Sequence, residues 1–421
     1  MRLSLLLVLL GSCSIPPPTR PAGESQLSTP ELPTEPELPA PERPTVPDGV
    51  SPLQASVDFF ATRPLLETPL DSGMHAIQGL GSGRAKACGA CHPDIYAEWE
   101  LSTHRHAWHD AQFQAETEKS GNKWLCRNCH TPTLTQQEKW PIGLIDNDVE
   151  KPVLIDNPDF DPEFEDEGIT CVACHVRDGI IHGPGLPESV AVHPVKVDPS
   201  YRTEALCVRC HQAVATYPGK SFICTFQTED EWRAGPAFKE GKTCVQCHMP
   251  EVEGPVAVGG PVRTRRRHWF AGSGIAKVAG SVPPLSAGPG RGLGLQARAT
   301  NEGVHLTLNN RTGHALPTGD PERWVQLSVT FKGADGGTIG EPWTLRMGQE
   351  WEWHPKPRKL GDTRLQPGET RELHVAAPEG AITAQVLASS HRMSAQNAEF
   401  HHLGDYPLSI GTHEMDIDLR R

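Results

Sequence analysis

The chain has 421 residues, more than one compact domain usually holds, and only 37% of them are hydrophobic. No run of about 18 apolar residues occurs, which excludes a polytopic membrane protein. The 39 basic against 52 acidic residues give a formal net charge of −13, which argues against a nucleic-acid partner. The 12 cysteines and 20 histidines are the unusual part of the composition.

The first thirteen residues have the pattern of an export signal. Arg2 supplies a positive charge, and residues 3–10 form an apolar-rich run that is too short to span a bilayer. The following Leu-Gly-Ser-Cys13 resembles the bacterial lipobox, which implies that Cys13 is acylated and becomes the mature N-terminus. Because Ser14 follows, the resemblance implies sorting to the outer membrane. The alternative is an ordinary cleaved signal with an incidental cysteine.

Residues 14–52 are rich in proline, and several of these prolines are three residues apart. Such a segment favours polyproline II and cannot build a core. We expect a disordered linker that holds the folded part away from the lipid, and a proline-rich recognition site is the alternative.

Five C-x-x-C-H motifs follow, roughly 40 residues apart. We number them sites 1 to 5 in chain order: Cys88/Cys91/His92, Cys126/Cys129/His130, Cys171/Cys174/His175, Cys207/Cys210/His211 and Cys244/Cys247/His248.

This spacing is that of c-type haem attachment. Two cysteines three residues apart lie about one helical turn apart and can bond the two vinyl groups of one haem, while the adjacent histidine becomes the proximal iron ligand. Structural disulfides, four-cysteine zinc sites and a thioredoxin-like C-x-x-C do not require the histidine. The sequence therefore predicts five covalently bound haem c groups, which would supply much of the core that the polypeptide lacks.

The segment after site 1 carries a family resemblance. Tyr96, Trp99, Ser102 and His104 follow the first motif in an order similar to that of the cytochrome c-554 family, which implies that His104 is a distal ligand. Residues 94–118 are expected to form a helix with His104 and Trp108 on one face, and His106 and His109 are rival ligands.

Other stretches look like larger multihaem cytochromes that share this domain. His193 lies 14 residues before Cys207, Arg267-His268-Trp-Phe follows the last motif, and residues 310–319 resemble a G-H-x-x-P-T-G segment that opens a C-terminal β-domain. The resemblance implies that His193, His268 and His314 are distal ligands. His182 and His75 compete for the fifth place. A second axial histidine would make an iron suited to electron transfer, whereas an open position would allow substrate chemistry.

Three further features have open interpretations. The acidic stretch 146–167 fails the EF-hand order and is expected to be a solvated loop rather than a calcium site. The arginines at 263 and 265–267 would be either partners of haem propionates or a surface patch. Cys224 is expected to be a buried inert thiol, with redox sensing or an intermolecular disulfide as alternatives.

The C-terminal part changes to a period of two. Residues 304–308, 324–331, 371–375 and 381–387 are predicted strands, and residues 334–337 form a hairpin signal. We expect an immunoglobulin-like β-sandwich that donates a ligand to the haem array, or else serves as a docking or spacer module.

These observations predict a multidomain protein: a lipoprotein signal over 1–13, a linker over 14–52, a mostly helical and irregular haem-wrapping domain over 53–280, a hinge over 281–294 and the sandwich over 295–421. The expected function is extracytoplasmic electron transfer along mostly bis-histidine haems, facing the periplasm or the cell surface. The expected partners are redox proteins, the membrane through the lipid anchor only, no nucleic acid, and a possible larger electron-transfer complex.

The rival hypothesis is an enzyme. It would be a multihaem reductase or dehydrogenase with one open-coordinated haem, acting on nitrogen or sulfur oxyanions. Against it, all five motifs end in histidine, whereas pentahaem nitrite reductases carry C-x-x-C-K at the active haem.

Overall fold

The computed structural model describes residues 43–70, 77, 80, 83–120, 123–185, 193–215, 224–278, 281, 292–352 and 358–420. These residues belong to one compact unit, Glu42–Arg421. The predicted lipid anchor Cys13, most of the predicted linker, the predicted ligand His75 and most of the predicted hinge lie outside the described residues.

Short helices joined by turns make up most of the structure before residue 250. In chain order they are α1 Pro52–Ala61, α2 Ala85–Gly89, α3 Pro93–Glu100, α4 Ala111–Ser120, α5 Lys123–His130, α6 Pro162–Glu165, α7 Cys171–His175, α8 Ala205–His211, α9 Thr228–Ala234, α10 Pro236–Lys239, α11 Cys244–His248 and, much later, α12 Ala395–Phe400. Frequent proline and glycine keep them short, because both residues disfavour helix interiors. Within the described residues, no helix is both long and apolar enough to cross a membrane.

Strands dominate the C-terminal part. In chain order the strands are β1 Lys139–Leu144, β2 Pro152–Asp156, β3 Val176–Arg177, β4 Ile180–Gly183, β5 Val195–Val197, β6 Gln212–Ala215, β7 Cys224–Gln227, β8 Glu251–Pro255, β9 Val262–Arg266, β10 Leu293–Thr300, β11 Gly303–Asn310, β12 Trp324–Lys332, β13 Thr338–Glu352, β14 Arg358–Asp362, β15 Thr370–Ala376, β16 Thr383–His391 and β17 Ser409–Asp418.

The helices of sites 3 and 5 have a common local design. The helices α7 and α11 begin at the first cysteine of a motif and end at its histidine. A capping box starts α11, because the Thr243 side chain and the Gln246 side chain each satisfy the other's backbone N–H. One short helical turn therefore presents both cysteines and the histidine to the same side.

The predicted helix over 94–118 is interrupted. α3 ends at Glu100, α4 begins at Ala111, and the residues between them form turns. Ser102 is fully buried, and its hydroxyl accepts a hydrogen bond from the Arg105 backbone N–H. This local bond stabilises a turn in place of the helix. His104 therefore lies on a turn, where its carbonyl accepts a hydrogen bond from the backbone N–H of Ile169.

Two antiparallel sheets form the C-terminal β-sandwich. One has the strand order β10-β11-β15, and the other β14-β13-β12-β16-β17. Leu306 and Leu308 of the first sheet share a buried cluster with Leu327 and Val386 of the second. Because alternate residues of β11 and β12 are buried, the period of two in the sequence has its expected cause. The predicted strands lie within or overlap β11, β12, β15 and β16; the immunoglobulin-like topology stays a prediction.

The acidic stretch 146–167 differs from the expected solvated loop. Asp161 forms an ion pair with Arg84, and Glu165 pairs with Arg127 at 2.5 Å. The buried Glu167 carboxylate accepts hydrogen bonds from the Ala85 backbone N–H at 2.9 Å and from the Thr170 hydroxyl at 2.6 Å. The carboxylates bind basic and backbone groups on the elements that carry sites 1 to 3. No cluster of three or more potential metal ligands occurs among the described residues.

Candidate haem-binding site

A single largely apolar cavity of about 2200 Å³ lies inside the helical part and against the sandwich. All ten motif cysteines and all five motif histidines line it. Residues that are spread over 160 positions of the sequence thus face one space. An apolar wall with cysteines and imidazoles pointing inward fits planar apolar macrocycles held by thioether bonds and axial nitrogens.

Backbone carbonyls orient four of the motif histidines. His92 Nδ1 donates to the Val256 carbonyl at 2.7 Å, His130 Nδ1 to Ala107 at 2.8 Å, His175 Nδ1 to His182 at 2.9 Å and His248 Nδ1 to Ala271 at 2.5 Å. When Nδ1 carries the proton, Nε2 keeps a lone pair for a metal. These hydrogen bonds from Nδ1 therefore keep each of the four rings in the tautomer whose Nε2 can bind iron.

Four motif histidines have a second imidazole opposite them. The ring-centre distances are 6.3 Å for His92–His193, 6.3 Å for His104–His211, 6.2 Å for His175–His268 and 6.2 Å for His248–His314. A nitrogen ligand lies about 2.0 Å from a first-row metal ion and about 1.1 Å from its own ring centre, so two imidazoles across one ion have centres about 6.2 Å apart. The spacing therefore fits one iron between each pair.

Burial keeps four of these eight rings neutral. It lowers the pKa of His104 and of His268 to about 3, and that of His211 and of His314 to about 4. Neutral imidazole is the form that binds metals. The geometry of the four pairs, and the neutral form of these four rings, thus fit axial ligands.

Site 2 has a different surrounding. Among the described residues, no histidine ring lies opposite His130 at the spacing of the other pairs. Phe113 stacks on His130 instead, with ring centres 3.6 Å apart and planes at 6°. The Nδ1 atom of the predicted ligand His182 lies 3.7 Å from the Asp198 carboxylate. The His182 backbone carbonyl accepts the hydrogen bond from His175 Nδ1. The rival His109 pairs with Asp166 at 2.6 Å.

Contacts between motif cysteines give the order of the sites in space. The Cys88 and Cys171 thiols are in contact, which joins sites 1 and 3, and the Cys207 and Cys244 thiols join sites 4 and 5. Cys210 of site 4 contacts Cys129 of site 2 and is also close to Cys174 of site 3. Sites 1, 3, 4 and 5 therefore follow one another, and site 2 branches from site 4.

The arginine cluster beside His268 has protein partners. Both Glu98 carboxylate oxygens lie 3.1 Å from Arg265 Nη1, and Arg267 Nη1 is 3.2 Å from Glu98. The same carboxylate accepts the His268 backbone N–H at 2.9 Å. Within this cluster, the pairing with Glu98 positions the loop that carries His268.

Arg323 is the buried cation that the sequence analysis missed. Its guanidinium is largely buried and forms no ion pair with a carboxylate of the described residues; it donates to the Thr318 carbonyl at 3.2 Å. Burial lowers its pKa, although the nearby Asp320 and Asp110 carboxylates oppose this shift. Since Arg323 lines the cavity, a haem propionate would pair with it. In the sequence, Arg323 is marked only by its position four residues after Gly319, the end of the segment that resembles G-H-x-x-P-T-G.

A second missed group joins the two parts of the fold. Lys277 contacts the Asp110 carboxylate, which also accepts a hydrogen bond from the Tyr406 hydroxyl. Arg392 contacts Tyr406 and donates to the Ile275 carbonyl at 2.8 Å. Although burial opposes it, Lys277 and Arg392 lower the pKa of Asp110 to about 2. The four side chains form one buried charge network beside the cavity.

Comparison with solved structures shows what the fold is similar to. A penta-heme cytochrome c552 from Thermochromatium tepidum matches with a TM-score of 0.57 and 19% sequence identity, over 79% of this chain and 98% of that chain. No family model matches the sequence, and no curated protein does. The likeness shows that the chain has the fold of a multihaem c-type cytochrome; the narrower resemblance to cytochrome c-554 stays a prediction.

Proposed function

We propose that the protein is an exported pentahaem c-type cytochrome that transfers electrons. The observation that carries the proposal is the set of four imidazole pairs, each joining a motif histidine to a histidine from elsewhere in the chain at 6.2 to 6.3 Å. Each haem supplies a one-electron couple whose potential depends on axial ligands, burial and nearby charge.

The residues of the chain have distinct tasks in this proposal. The ten motif cysteines fix the haems covalently, and the motif histidines are proximal ligands. The second axial ligand is His193 at site 1, His268 at site 3, His104 at site 4 and His314 at site 5. Two neutral imidazoles per iron need little rearrangement when the charge changes, which suits electron transfer. Arg323 offsets the negative charge of a propionate.

The thiol contacts give the route. Electrons pass between site 1 and site 5 through sites 3 and 4, because these sites are neighbours in that order. Cys91 of site 1 and Cys247 of site 5 are exposed, whereas the other eight motif cysteines are partly buried. Sites 1 and 5 are therefore the places where redox partners would exchange electrons.

The cellular setting is part of the proposal. The lipobox-like Leu-Gly-Ser-Cys13 and the proline-rich residues 14–52 support an outer-membrane lipoprotein held on a tether. Covalent haem attachment agrees with export. The net charge of −13 favours basic docking surfaces on the partners.

Haem content and spin state test the proposal. The full chain should contain five haems per polypeptide by pyridine haemochrome, and the ferric protein should show mainly low-spin signals by low-temperature EPR. A count below five, or mainly high-spin iron, would contradict it.

A further inference from the structure

The two imidazoles of site 5 come from different parts of the fold. His248 ends α11, whereas His314 lies in the loop between β11 and β12 of the sandwich. Their ring centres are 6.2 Å apart, and the ring planes are at 16°. One iron can bind both rings only if the sandwich loop keeps a fixed distance from α11. Contacts between the loop and the haem-binding part must therefore set that distance.

The loop is ordered by hydrogen bonds of its own. Asn310 Nδ2 donates to the His314 carbonyl at 2.8 Å, and the Thr312 hydroxyl donates to the same carbonyl at 2.6 Å. His314 Nδ1 lies 2.9 Å from the Ala315 carbonyl. All of these groups belong to β11 or to the loop itself. They orient the His314 ring relative to the sandwich, but they do not connect it to the helices of the haem sites.

Helix α9 makes that connection through Glu231. Arg364 Nη1 donates to the Glu231 carboxylate at 2.6 Å and to the Pro317 carbonyl at 3.2 Å. The Thr318 hydroxyl donates to the other oxygen of the same carboxylate at 2.5 Å, and the Thr228 hydroxyl at the start of α9 lies 2.9 Å from it. The side chains of Glu231 and Arg364 are only 10% and 5% exposed. Charge-assisted hydrogen bonds in such a buried place are strong and directional, so they hold the loop against α9.

The same helix also contacts the approach to the motif helix of site 5. Trp232 Nε1 donates to the Lys242 carbonyl at 2.9 Å, two residues before Cys244, where α11 begins. The loop packs on Trp232 too, because a Cβ atom added at Gly313 would lie 3.3 Å from Trp232 Cδ1. Glu231 and Trp232 are neighbours in the chain. One turn of α9 therefore contacts both the segment that leads into α11 and the loop that carries the facing imidazole.

Arg364 has a second carboxylate partner. Its Nε and Nη2 atoms donate to Asp362 at 2.9 Å and 2.8 Å. Loss of the Glu231 carboxylate would therefore leave Arg364 in an ion pair, and it would avoid the large cost of an unpaired buried cation. The main loss would be the link between α9 and the loop.

We propose that Glu231, together with Arg364 and Thr318, positions His314 opposite His248 and thereby keeps the iron of site 5 six-coordinate. Glu231 is a positioning residue, because it acts through the loop and is not itself a ligand. Without it, the loop moves away from α11 and one axial position opens to an external ligand. This inference rests on the proposed function, because it needs haem at site 5.

Imidazole binding by the ferric full-length holoprotein tests the inference. Glu231→Ala should bind one more imidazole per chain than the wild type, and it should show one more high-spin haem by EPR before imidazole is added. Thr318→Val removes only a hydroxyl and keeps the Glu231–Arg364 ion pair; its count should also rise. Asp230→Ala is the matched control, because Asp230 is an exposed carboxylate on the same helix, and its count should equal that of the wild type.

A fourth variant assigns the effect to site 5. His314→Gly removes the facing imidazole and should bind one more imidazole than the wild type, whereas the Glu231→Ala/His314→Gly double variant should bind no more than His314→Gly alone. Two additional imidazoles in the double variant would place the effect of Glu231 at another haem and overturn the inference. Wild-type counts in both Glu231→Ala and Thr318→Val would overturn it as well. Fewer than five haems in the wild type would instead contradict the proposed function.

Discussion

At the scale of single residues, the site depends on how each imidazole and each buried charge is held. The histidines that face the motif histidines come from turns and loops: Glu98 accepts the His268 backbone N–H, and the Phe270 ring centre lies 4.3 Å from that of His104. Four of the five motif histidines are placed by backbone carbonyls. Because axial ligands and nearby charges set haem potentials, single substitutions should change one site at a time.

Replacing His268 with methionine should raise the potential of site 3, on the order of 100 mV, because a thioether stabilises ferrous iron more than an imidazole does. A spectroelectrochemical titration would show one of five transitions moved upward. His305→Met is the matched control, since His305 pairs with Glu372 at 3.3 Å on the sandwich. Equal shifts in both variants would contradict the assignment.

Replacing Arg323 with methionine should lower the potential of site 4. Arg323 acts electrostatically on His211, and a buried positive charge disfavours the more positive ferric state. We expect a decrease of tens of millivolts, where about 59 mV corresponds to a tenfold change in the equilibrium constant. Arg420→Met, which removes an exposed arginine paired with Asp418 at 2.9 Å, should leave all five potentials unchanged. The same titration measures both, and an unchanged site 4 in Arg323→Met would be the opposing result.

At the scale of elements, short segments are held together by buried ion pairs rather than by long packed helices. Glu98 of α3 binds Arg265 of β9 and the residues that follow it, and Arg127 of α5 binds Glu165 of α6. Such pairs need both partners, because a single buried charge is costly. The interrupted helix over 94–118 belongs to this scale too, since tertiary contacts around His104 stabilise a turn that local propensity did not indicate.

Glu98→Gln should therefore destabilise the connection between α3 and β9. Glu98 and Arg265 are both less than a tenth exposed, so loss of the carboxylate leaves a buried cation, at a cost of about 3–5 kcal/mol. Denaturant unfolding of the holoprotein would measure the change. Glu100→Gln is the control on the same helix, because Glu100 is exposed, and its effect should stay within about 0.5 kcal/mol. Similar losses of stability in the two variants would contradict the role of the Glu98–Arg265 ion pair.

At the scale of the whole molecule, the sandwich and the haem-binding part form one unit. His314 comes from the sandwich and faces His248 of site 5, and the Asp110–Lys277–Tyr406–Arg392 network joins the two parts a second time. The sandwich thus supplies the imidazole that faces His248 and a wall of the cavity, and it has a hydrophobic core of its own.

The network predicts a pH dependence of stability. The pKa of Asp110 falls from an ordinary value of 3.8 to about 2 on folding, because the nearby cations outweigh burial. A depressed carboxyl pKa contributes stability above about pH 4 and loses it as the pH falls toward 2, here about 2 kcal/mol. Asp110→Asn should be less stable at pH 7 and lose less stability over this range in urea unfolding. An equal loss in both proteins would contradict the role of Asp110.

The sequence alone predicts haem attachment because its chemistry is local. Two thioether bonds and a proximal nitrogen require residues that are neighbours in the chain, so the C-x-x-C-H motif carries all three. The strands of the sandwich were also visible, since burial of one face produces a period of two in β11 and β12.

The tertiary structure decided which groups meet. The two histidines of each pair lie far apart in sequence, and no local pattern states that His193 faces His92 or that His130 faces no described imidazole. The acidic stretch looked solvated because its basic and backbone partners come from α2 and α5. Distal ligands, buried charges and the order of the sites depend on distance in space, which only the folded chain determines.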